Sequence, residues 1–313
     1  MRVLSDQKQK LQIESFNREA ENAEQLVASE ERLYASRIDN AAMEVEVSGC
    51  SIVLLSGPSG SGKTTTSLKL AKALTARGKP AKVISLDDYF KNIEDYPETE
   101  TGDKDYESIY ALDIGLVNSN LFDLAATGRA VIPQFDFVLQ KRKPEQKEIV
   151  LDKGEIAVVE GIHALNPILS ESIKREDAFR VYAGLCVEYY NGEERIIATR
   201  DLRITRRMIR DYYFRGHTIE RTLELWDNLL AGETKWVRAF KTEADHLINT
   251  SIKYEVCVFK RLIEGIFTDE AQGGVYRNIL AEVAGRYEKV TPIDEDMTPD
   301  GSMLREFLGG LII

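Results

Sequence analysis

Residues 57–64 read Gly-Pro-Ser-Gly-Ser-Gly-Lys-Thr and follow the apolar residues 51–55, Ser-Ile-Val-Leu-Leu. A strand, a glycine-rich turn and a helix that opens with Lys-Thr form a P-loop, which cradles phosphate groups. Glycines let the backbone turn tightly with its N–H groups inward, and the helix N-terminus adds positive charge. Lys63 is expected to bridge the outer phosphates and the Thr64 hydroxyl to bind Mg²⁺. The stretch therefore predicts a site for ATP with Mg²⁺. The residues of the motif expected to contact the nucleotide are Gly57, Ser59, Gly60, Ser61, Gly62, Lys63, Thr64 and Thr65.

Charge and composition narrow the range of partners. The formal net charge of the 313-residue chain is -11, so a long nucleic acid, whose affinity rests on clustered Lys and Arg, is not an expected partner. No apolar run is long enough to span a bilayer, and the N-terminus lacks the apolar core of a signal peptide. The three cysteines are far apart, which is typical of reduced thiols. We expect a cytoplasmic protein that binds a small-molecule substrate and neither nucleic acid nor membrane.

The order of apolar runs and helical segments predicts the fold. Strands are expected at residues 51–55, 81–86 and 156–159, with helical segments between them. This alternation predicts an α/β fold, a P-loop three-layer sandwich with a parallel core sheet and a helical lid. Asp87 and Glu160 come directly after two of these strands. Because ligands collect at the carboxyl edge of a parallel sheet, both are expected to face the P-loop.

These residues suit phosphoryl transfer, which needs an oriented nucleophile, a metal and positive charge around the migrating group. Asp87 is expected to accept the proton of the attacking hydroxyl, although it can alternatively cap the next helix. Glu160 is expected to bind Mg²⁺ together with Thr64. His163 follows Glu160 and is expected to line the cleft.

Four arginines repeat at helical spacing in the expected lid. They occupy i, i+3, i+4 and i+7, which is one face of a helix, and are expected to close over the triphosphate. The alternative is an exposed face in which one or two of them pair with neighbouring acids. The four are Arg203, Arg206, Arg207 and Arg210.

Six segments, taken together and in order, resemble the uridine kinase and phosphoribulokinase-like branch of P-loop kinases. They are residues 57–65, 85–90, 106–113, 133–137, 159–162 and 203–211. The resemblance implies that Asp87 is the catalytic base for a ribose 5′-hydroxyl and that Glu160 belongs to the Mg²⁺ site. It also implies that Arg203 and Arg206 lie in the lid over the phosphates. Residues 302–310 look like the end of a bacterial uridine-kinase-related subgroup, whose longer members carry a threonyl-tRNA-synthetase-like N-terminal domain.

The same resemblance implies an altered acceptor site. Where pyrimidine nucleoside kinases have an Asp that contacts the ribose hydroxyls, this chain has Glu107. The tyrosine and histidine that hold the pyrimidine fall at Phe135 and Gln140, and a base-reading glutamine falls near Arg221. Losing two hydrogen-bonding side chains from such a pocket changes its selectivity. Phe90, in the second segment, is also expected to contact the acceptor.

We therefore expect an ATP-dependent kinase for the 5′-hydroxyl of a nucleoside, with uridine or cytidine as the family default. Two alternatives stay open: a kinase for a sugar, a sugar phosphate or a pantothenate-like alcohol, and a non-catalytic nucleotide-binding regulator. The expected organisation is a charged helical leader (1–45), a kinase domain (46–268, with the lid at about 200–240) and a C-terminal helical tail packed on it (269–313). The leader is expected to be a helix or helix pair, or else a solvated segment. A homo-oligomer is possible.

Overall fold

A computed structural model of the chain describes residues 8–99, 102–270 and 276–312. Within them the strands are β1 (Gln9–Gln12), β2 (Ile52–Ser56), β3 (Ala81–Ser85), β4 (Arg129–Ile132), β5 (Phe135–Asp136), β6 (Lys141–Arg142), β7 (Lys147–Val150), β8 (Ile156–Glu160), β9 (Ala178–Gly184), β10 (Val187–Asn191), β11 (Glu194–Ile197) and β12 (His246–Asn249). The α-helices are α1 (Ile13–Ala20), α2 (Ala23–Ser48), α3 (Lys63–Ala76), α4 (Ile114–Thr127), α5 (Thr199–Arg215), α6 (Ile219–Trp236), α7 (Glu255–Glu270), α8 (Arg277–Arg286) and α9 (Arg305–Leu308).

The central sheet is parallel, with the strand order β12-β9-β2-β8-β3. Strands β2 and β8 are buried along their whole length, because helices cover both faces of the sheet and every side chain meets a hydrophobic layer. The predicted α/β P-loop fold with a parallel core sheet is confirmed. Smaller antiparallel pairs, β4 with β7 and β5 with β6, lie beside it.

The register of the sheet brings the predicted site residues to one edge. Glu160, the last residue of β8, lies opposite Leu55 of β2 and Ser85 of β3. The P-loop therefore leaves β2, and the turn that carries Asp87 leaves β3, beside the end of β8. In that turn the Ser85 hydroxyl accepts a hydrogen bond from the Asp87 amide at 3.3 Å and caps a short 3₁₀ helix.

The N-terminal helices belong to the same hydrophobic core as the sheet. Phe16 and Tyr34 are each 1% exposed, and the Tyr34 hydroxyl lies 2.8 Å from the Thr66 hydroxyl of α3. Residues 13–48 therefore form the expected helix pair, and the alternative of a solvated segment is wrong for them. Strand β1, which pairs in parallel with β10, was not expected, because its Gln-Lys-Leu-Gln sequence has little apolar character.

Residues 276–312 pack on the body of the molecule. Met303, Leu304 and Phe307 are fully buried in the core that also contains α3 and α5. Residues 1–7 of the leader and residues 271–275 and 313 of the tail lie outside the described residues. No helix in the described part of the chain combines the length and hydropathy that a membrane-spanning helix needs.

Candidate active site

The P-loop has the backbone that its glycines predict. Gly60 and Gly62 have φ angles of 72° and 80°, in the left-handed region that side chains with a Cβ rarely adopt. Gly62 immediately precedes α3 and lies against the Met303 sulfur, which a Cβ at this position would meet at 2.5 Å. The loop is therefore held both by its backbone preference and by contact with the C-terminal residues.

A cleft of about 390 Å³ opens above the loop and unites residues predicted from separate motifs. Lys63, Thr64 and Asp87 line it together, with Ser59 and Gly60 at the loop. Ser61 of the loop and Thr65 in the first turn of α3 are fully buried and do not line the cleft. Of the two strand-end carboxylates, Asp87 lines the cleft with the P-loop residues, whereas Glu160 is buried and does not line it.

The two neighbouring carboxylates Asp87 and Asp88 lie in different surroundings. Asp87 faces the cleft, whereas its neighbour Asp88 accepts a hydrogen bond from the Phe135 amide at 3.3 Å. Burial raises the pKa of Asp87, and the positive charge of Lys63 acts against that rise. Burial likewise raises the pKa of Glu160, again opposed by Lys63. The charge of Lys63 therefore lowers the pKa of both Asp87 and Glu160.

The oxygen atoms near the loop fit a magnesium ion that is held mainly through phosphates. Glu160 accepts a hydrogen bond from Ser85 through one oxygen at 3.1 Å, and its other, buried oxygen has no partner among the described residues. Thr64, in the first turn of α3, is exposed. The described residues contain no group of three His, Cys, Asp or Glu side chains that would enclose a metal. This sparse oxygen set is typical of Mg²⁺, which keeps several waters and phosphate oxygens.

The prediction that Arg203 and Arg206 close over the phosphates is wrong. Both side chains are buried beneath the P-loop. Arg203 donates to the Ser59 carbonyl at 2.8 Å and pairs with Glu233, which also accepts from the Ser59 amide at 2.8 Å. Arg206 donates to the Gly60 carbonyl at 3.1 Å and pairs with Glu255 at 2.6 Å. They therefore support the loop from behind, because α5 packs between the loop and α7.

The arginines that line the cleft are Arg207, Arg210 and Arg215. All three lie around Asp211, whose buried carboxylate contacts Arg207 at 3.2 Å, Arg210 at 2.9 Å and Arg215 at 3.9 Å. Sequence reasoning identified Arg207 and Arg210 but missed Arg215 and the orienting role of Asp211. The i, i+4 spacing of Arg207, Asp211 and Arg215 is a signal that would have found them.

Aromatic rings form the wall opposite the P-loop. Phe90 stacks with Tyr96 at a centroid distance of 5.7 Å and contacts Phe135 at 5.8 Å. Tyr106 and Phe137 extend this wall, through Tyr96 at 5.6 Å and Phe135 at 5.2 Å respectively. Phe90 and Phe135 were predicted at the acceptor side, whereas Tyr96, Tyr106 and Phe137 were not. The wall offers flat apolar surfaces beside Asp87.

A second cavity of about 860 Å³ adjoins the cleft and is lined by both polar and apolar side chains. Glu107, Gln140 and Arg207 line both cavities, so they stand at the junction. Arg221 lines only the outer cavity, is exposed, and contacts Glu224 at 3.4 Å. Glu107 and Gln140 therefore lie where the cleft meets the second cavity, whereas Arg221 does not line the cleft.

His163 does not line the cleft, contrary to the prediction. Its side chain is 1% exposed, and its neighbour Ile162 lines the cleft instead. Burial lowers the pKa of His163 to about 4, against the backbone groups of Trp236 and Glu107, which raise it. A neutral, buried imidazole at this position packs under the site rather than exchanging protons in it.

The raised pKa of Glu107 predicts that the stability of the protein depends on pH. Burial and the nearby Glu233 raise its pKa from 4.5 to about 7, while Arg207 and Lys63 lower it. Because the folded state holds the proton more tightly, this stabilisation is present below about pH 4.5 and is lost as the pH rises to about 7. The free energy of unfolding therefore falls as the pH rises, and we expect this fall to be about 1 to 2 kcal/mol smaller in Glu107→Gln. This is less than the full pKa shift would give, since the side chain is partly solvated. Urea unfolding at pH 5 and pH 8 measures it, with Glu224→Gln as control. An unchanged pH slope in Glu107→Gln contradicts the prediction.

The chain is similar in sequence to known proteins. The profile of the phosphoribulokinase/uridine kinase family matches residues 52–256. A uridine kinase of Borrelia turicatae is 30% identical over 198 residues, which are 63% of this chain and 85% of that protein. A uridine kinase of Macrococcus caseolyticus is 29% identical over 57% of this chain and 77% of that protein.

Two solved structures align with this chain at lower similarity. A possible uridine kinase from Bacillus stearothermophilus aligns with a TM-score of 0.40 and 20% identity, over 47% of this chain and 79% of that chain. A phosphoribulokinase from Rhodobacter spheroides aligns with a TM-score of 0.43 and 13% identity, over 65% of this chain and 73% of that chain.

Proposed function

This chain belongs to the phosphoribulokinase/uridine kinase family, and from that premise we propose that it transfers the γ-phosphate of ATP to the 5′-hydroxyl of a nucleoside. One observation carries the proposal. Lys63 and Thr64 of the P-loop line the same cleft as Asp87 and the aromatic wall, so donor and acceptor groups open into one space. A site built only to bind a nucleotide does not need a half-buried carboxylate and an aromatic wall at that point.

The proposed mechanism assigns one task to each group. Asp87 holds the acceptor hydroxyl and takes its proton, and its raised pKa brings it closer to the working pH of a general base. Lys63 and Arg207 hold the phosphates and balance the charge that develops on them. ATP, bound with Mg²⁺, supplies the phosphoryl group and its electrophilic phosphorus. Thr64 and Glu160 are the residues that would hold the metal.

The aromatic wall supports a planar acceptor. Phe90, Tyr96 and Phe135 line the cleft with aromatic rings, and aromatic rings are side chains on which a planar base can stack. Phe135 and Gln140 stand where the resembled family has pyrimidine-reading side chains, so uridine and cytidine are proposed as the default acceptors with altered selectivity.

The outer cavity favours a second candidate, a sugar phosphate or another polar alcohol. Lys104, His217 and Arg221 line it and offer hydrogen-bond donors to an acceptor longer than a nucleoside. A cytoplasmic location and a possible homo-oligomer complete the proposal.

An acceptor panel tests the proposal. Purified protein with MgATP is given nucleosides, sugars, sugar phosphates and pantothenate, and ADP formation is measured for each. Nucleoside-dependent ADP formation is the expected result. ADP formation only with sugar phosphates or pantothenate selects the second candidate. Nucleotide binding without turnover on any acceptor contradicts both kinase candidates. It supports the remaining alternative, a non-catalytic nucleotide-binding regulator.

Restoring the family's pyrimidine-reading pair is expected to raise kcat/KM for uridine at least about 10-fold, because buried hydrogen-bonding groups discriminate strongly between substrates. The variant is Phe135→Tyr with Gln140→His. Gln140 has a φ of 52°, and histidine is among the residues that tolerate this region. Steady-state kinetics with uridine measure the effect, and adenosine is the comparison. A folded double variant with unchanged kcat/KM for uridine argues against this acceptor geometry.

A further inference from the structure

The first turn of α3 already has an anion on it. Backbone N–H groups at a helix start lack partners inside the helix. Here the Thr65 amide donates to Glu306 Oε2 at 3.0 Å, and the Thr65 hydroxyl donates to the same oxygen at 2.7 Å. Thr65 belongs to the P-loop, whose N–H groups are the donors for nucleotide phosphates. A carboxylate from α9 therefore occupies donors of the proposed nucleotide site.

The segment that carries Glu306 is fixed to the body of the protein. We call residues 302–308 the tail segment. Met303 and Phe307 are fully buried, and the Arg206 guanidinium lies 5.0 Å from the Phe307 ring centroid. The Ser302 hydroxyl donates to Glu31 of α2 at 2.5 Å. The backbone of the tail segment is thus anchored on both sides of Glu306.

The Glu306 side chain itself reaches the cleft. It is half-buried and lines the cleft between the P-loop and the cleft arginines. Arg215 lines the same cleft, and its charge interacts favourably with the Glu306 carboxylate. Rotation of the Glu306 side chain is therefore the movement that we expect to carry its carboxylate from Thr65 toward Arg215, without displacement of the tail segment.

A phosphate group and the Glu306 carboxylate exclude one another at Thr65. Both are anions, and both need the same amide and hydroxyl donors. Two like charges in a partly desolvated site repel each other more strongly than they would in water. Nucleotide binding at this point therefore requires Glu306 to leave.

We propose that Glu306 is an intramolecular competitor of the nucleotide, a carboxylate that takes the place of a phosphate on Thr65 until the nucleotide displaces it. The inference rests on the proposed function, since it assigns the P-loop to a nucleoside triphosphate. Its consequence is quantitative. The apparent affinity for nucleotide is reduced by the fraction of molecules in which Glu306 covers Thr65.

Glu306→Gln is expected to tighten binding of MgADP about 10-fold, because a neutral amide holds the Thr65 donors less strongly than a carboxylate does. The same variant loses a negative charge at the N-terminus of α3. The melting temperature of the nucleotide-free protein is therefore expected to fall by about 2 °C. Tighter binding together with lower stability distinguishes a competitor from a residue with a purely structural role.

Isothermal titration calorimetry with MgADP and thermal unfolding without nucleotide test the proposal. Glu295→Gln is the matched control, since that carboxylate is exposed on the preceding turn. Glu306→Asp, which keeps the charge on a shorter side chain, is expected to lie between wild type and Glu306→Gln.

Equal MgADP affinity in wild type and Glu306→Gln overturns the inference and leaves the proposed function standing. Weaker affinity in Glu306→Gln also overturns it, because Glu306 would then belong to nucleotide or metal binding. If neither protein binds MgADP, the proposed function itself fails.

Discussion

Asp87→Asn is expected to lower kcat for phosphoryl transfer about 10² to 10⁴-fold, the usual contribution of a general base. Asparagine keeps the size of the side chain but cannot accept the hydroxyl proton. Because Lys63 and Thr64 are unchanged, MgADP affinity should stay close to that of wild type. The raised pKa of Asp87 adds a second expectation: the acidic fall of the wild-type kcat/KM should disappear in the variant.

Asp88→Asn is the matched control, since Asp88 is the adjacent carboxylate and contacts the Phe135 amide rather than the cleft. Its loss of kcat is expected to stay below about 10-fold, because it acts on the wall and not on the hydroxyl. Steady-state kinetics and calorimetry on both variants separate the roles. Equal losses in the two variants, or a loss of MgADP affinity in Asp87→Asn that matches its loss of rate, would remove Asp87 from the role of base.

Arg206→Met is expected to lower the free energy of unfolding by about 3 to 5 kcal/mol, because it leaves the Glu255 carboxylate buried without its cation. Arg206 and Glu255 are 0% and 1% exposed, and the guanidinium also holds the Gly60 and Thr250 carbonyls. Replacing both partners, as Arg206→Met with Glu255→Leu, should recover part of that loss, since no buried charge is then left alone. Urea unfolding without nucleotide measures both variants.

Arg200→Met is the control for this comparison, because Arg200 is an exposed arginine of the same helix and contacts Asp227 at 3.6 Å. Exposed pairs contribute about 0 to 1 kcal/mol. A lid arginine that only contacts phosphate would behave like this control in the absence of nucleotide. If Arg206→Met does so, the supporting role given to Arg206 is wrong.

Local sequence patterns predicted the donor half of the site because its residues follow directly from motifs and strand ends. The P-loop spacing defines its own backbone, and a parallel sheet brings the ends of β3 and β8 together whatever the loops do. Asp87 therefore needed no tertiary information beyond strand order. The fold class was predictable for the same reason.

The arginines of α5 show where such patterns stop. Periodicity shows that Arg203, Arg206, Arg207 and Arg210 share one side of a helix. It does not show that α5 lies between the P-loop and α7. In that position Arg203 and Arg206 are buried, whereas Arg207 and Arg210 line the cleft. The division depends on Glu233 and Glu255, which come from other elements.

Contacts between distant segments were not predictable at all. Glu306 meets Thr65 across 241 residues, and neither residue carries a local signal of the other. Such contacts arise from packing of whole elements, so a single sequence does not encode them in a readable pattern.

Phosphorus NMR of the products tests the central claim most directly. The protein is incubated with MgATP and a mixture of nucleosides, and the fate of the γ-phosphate is followed. We predict a new nucleoside 5′-phosphate resonance that grows as ADP appears and that grows at least about 10²-fold more slowly with Asp87→Asn. Growth of inorganic phosphate alone, or no loss of ATP, would contradict the claim that this cleft transfers phosphate to a nucleoside.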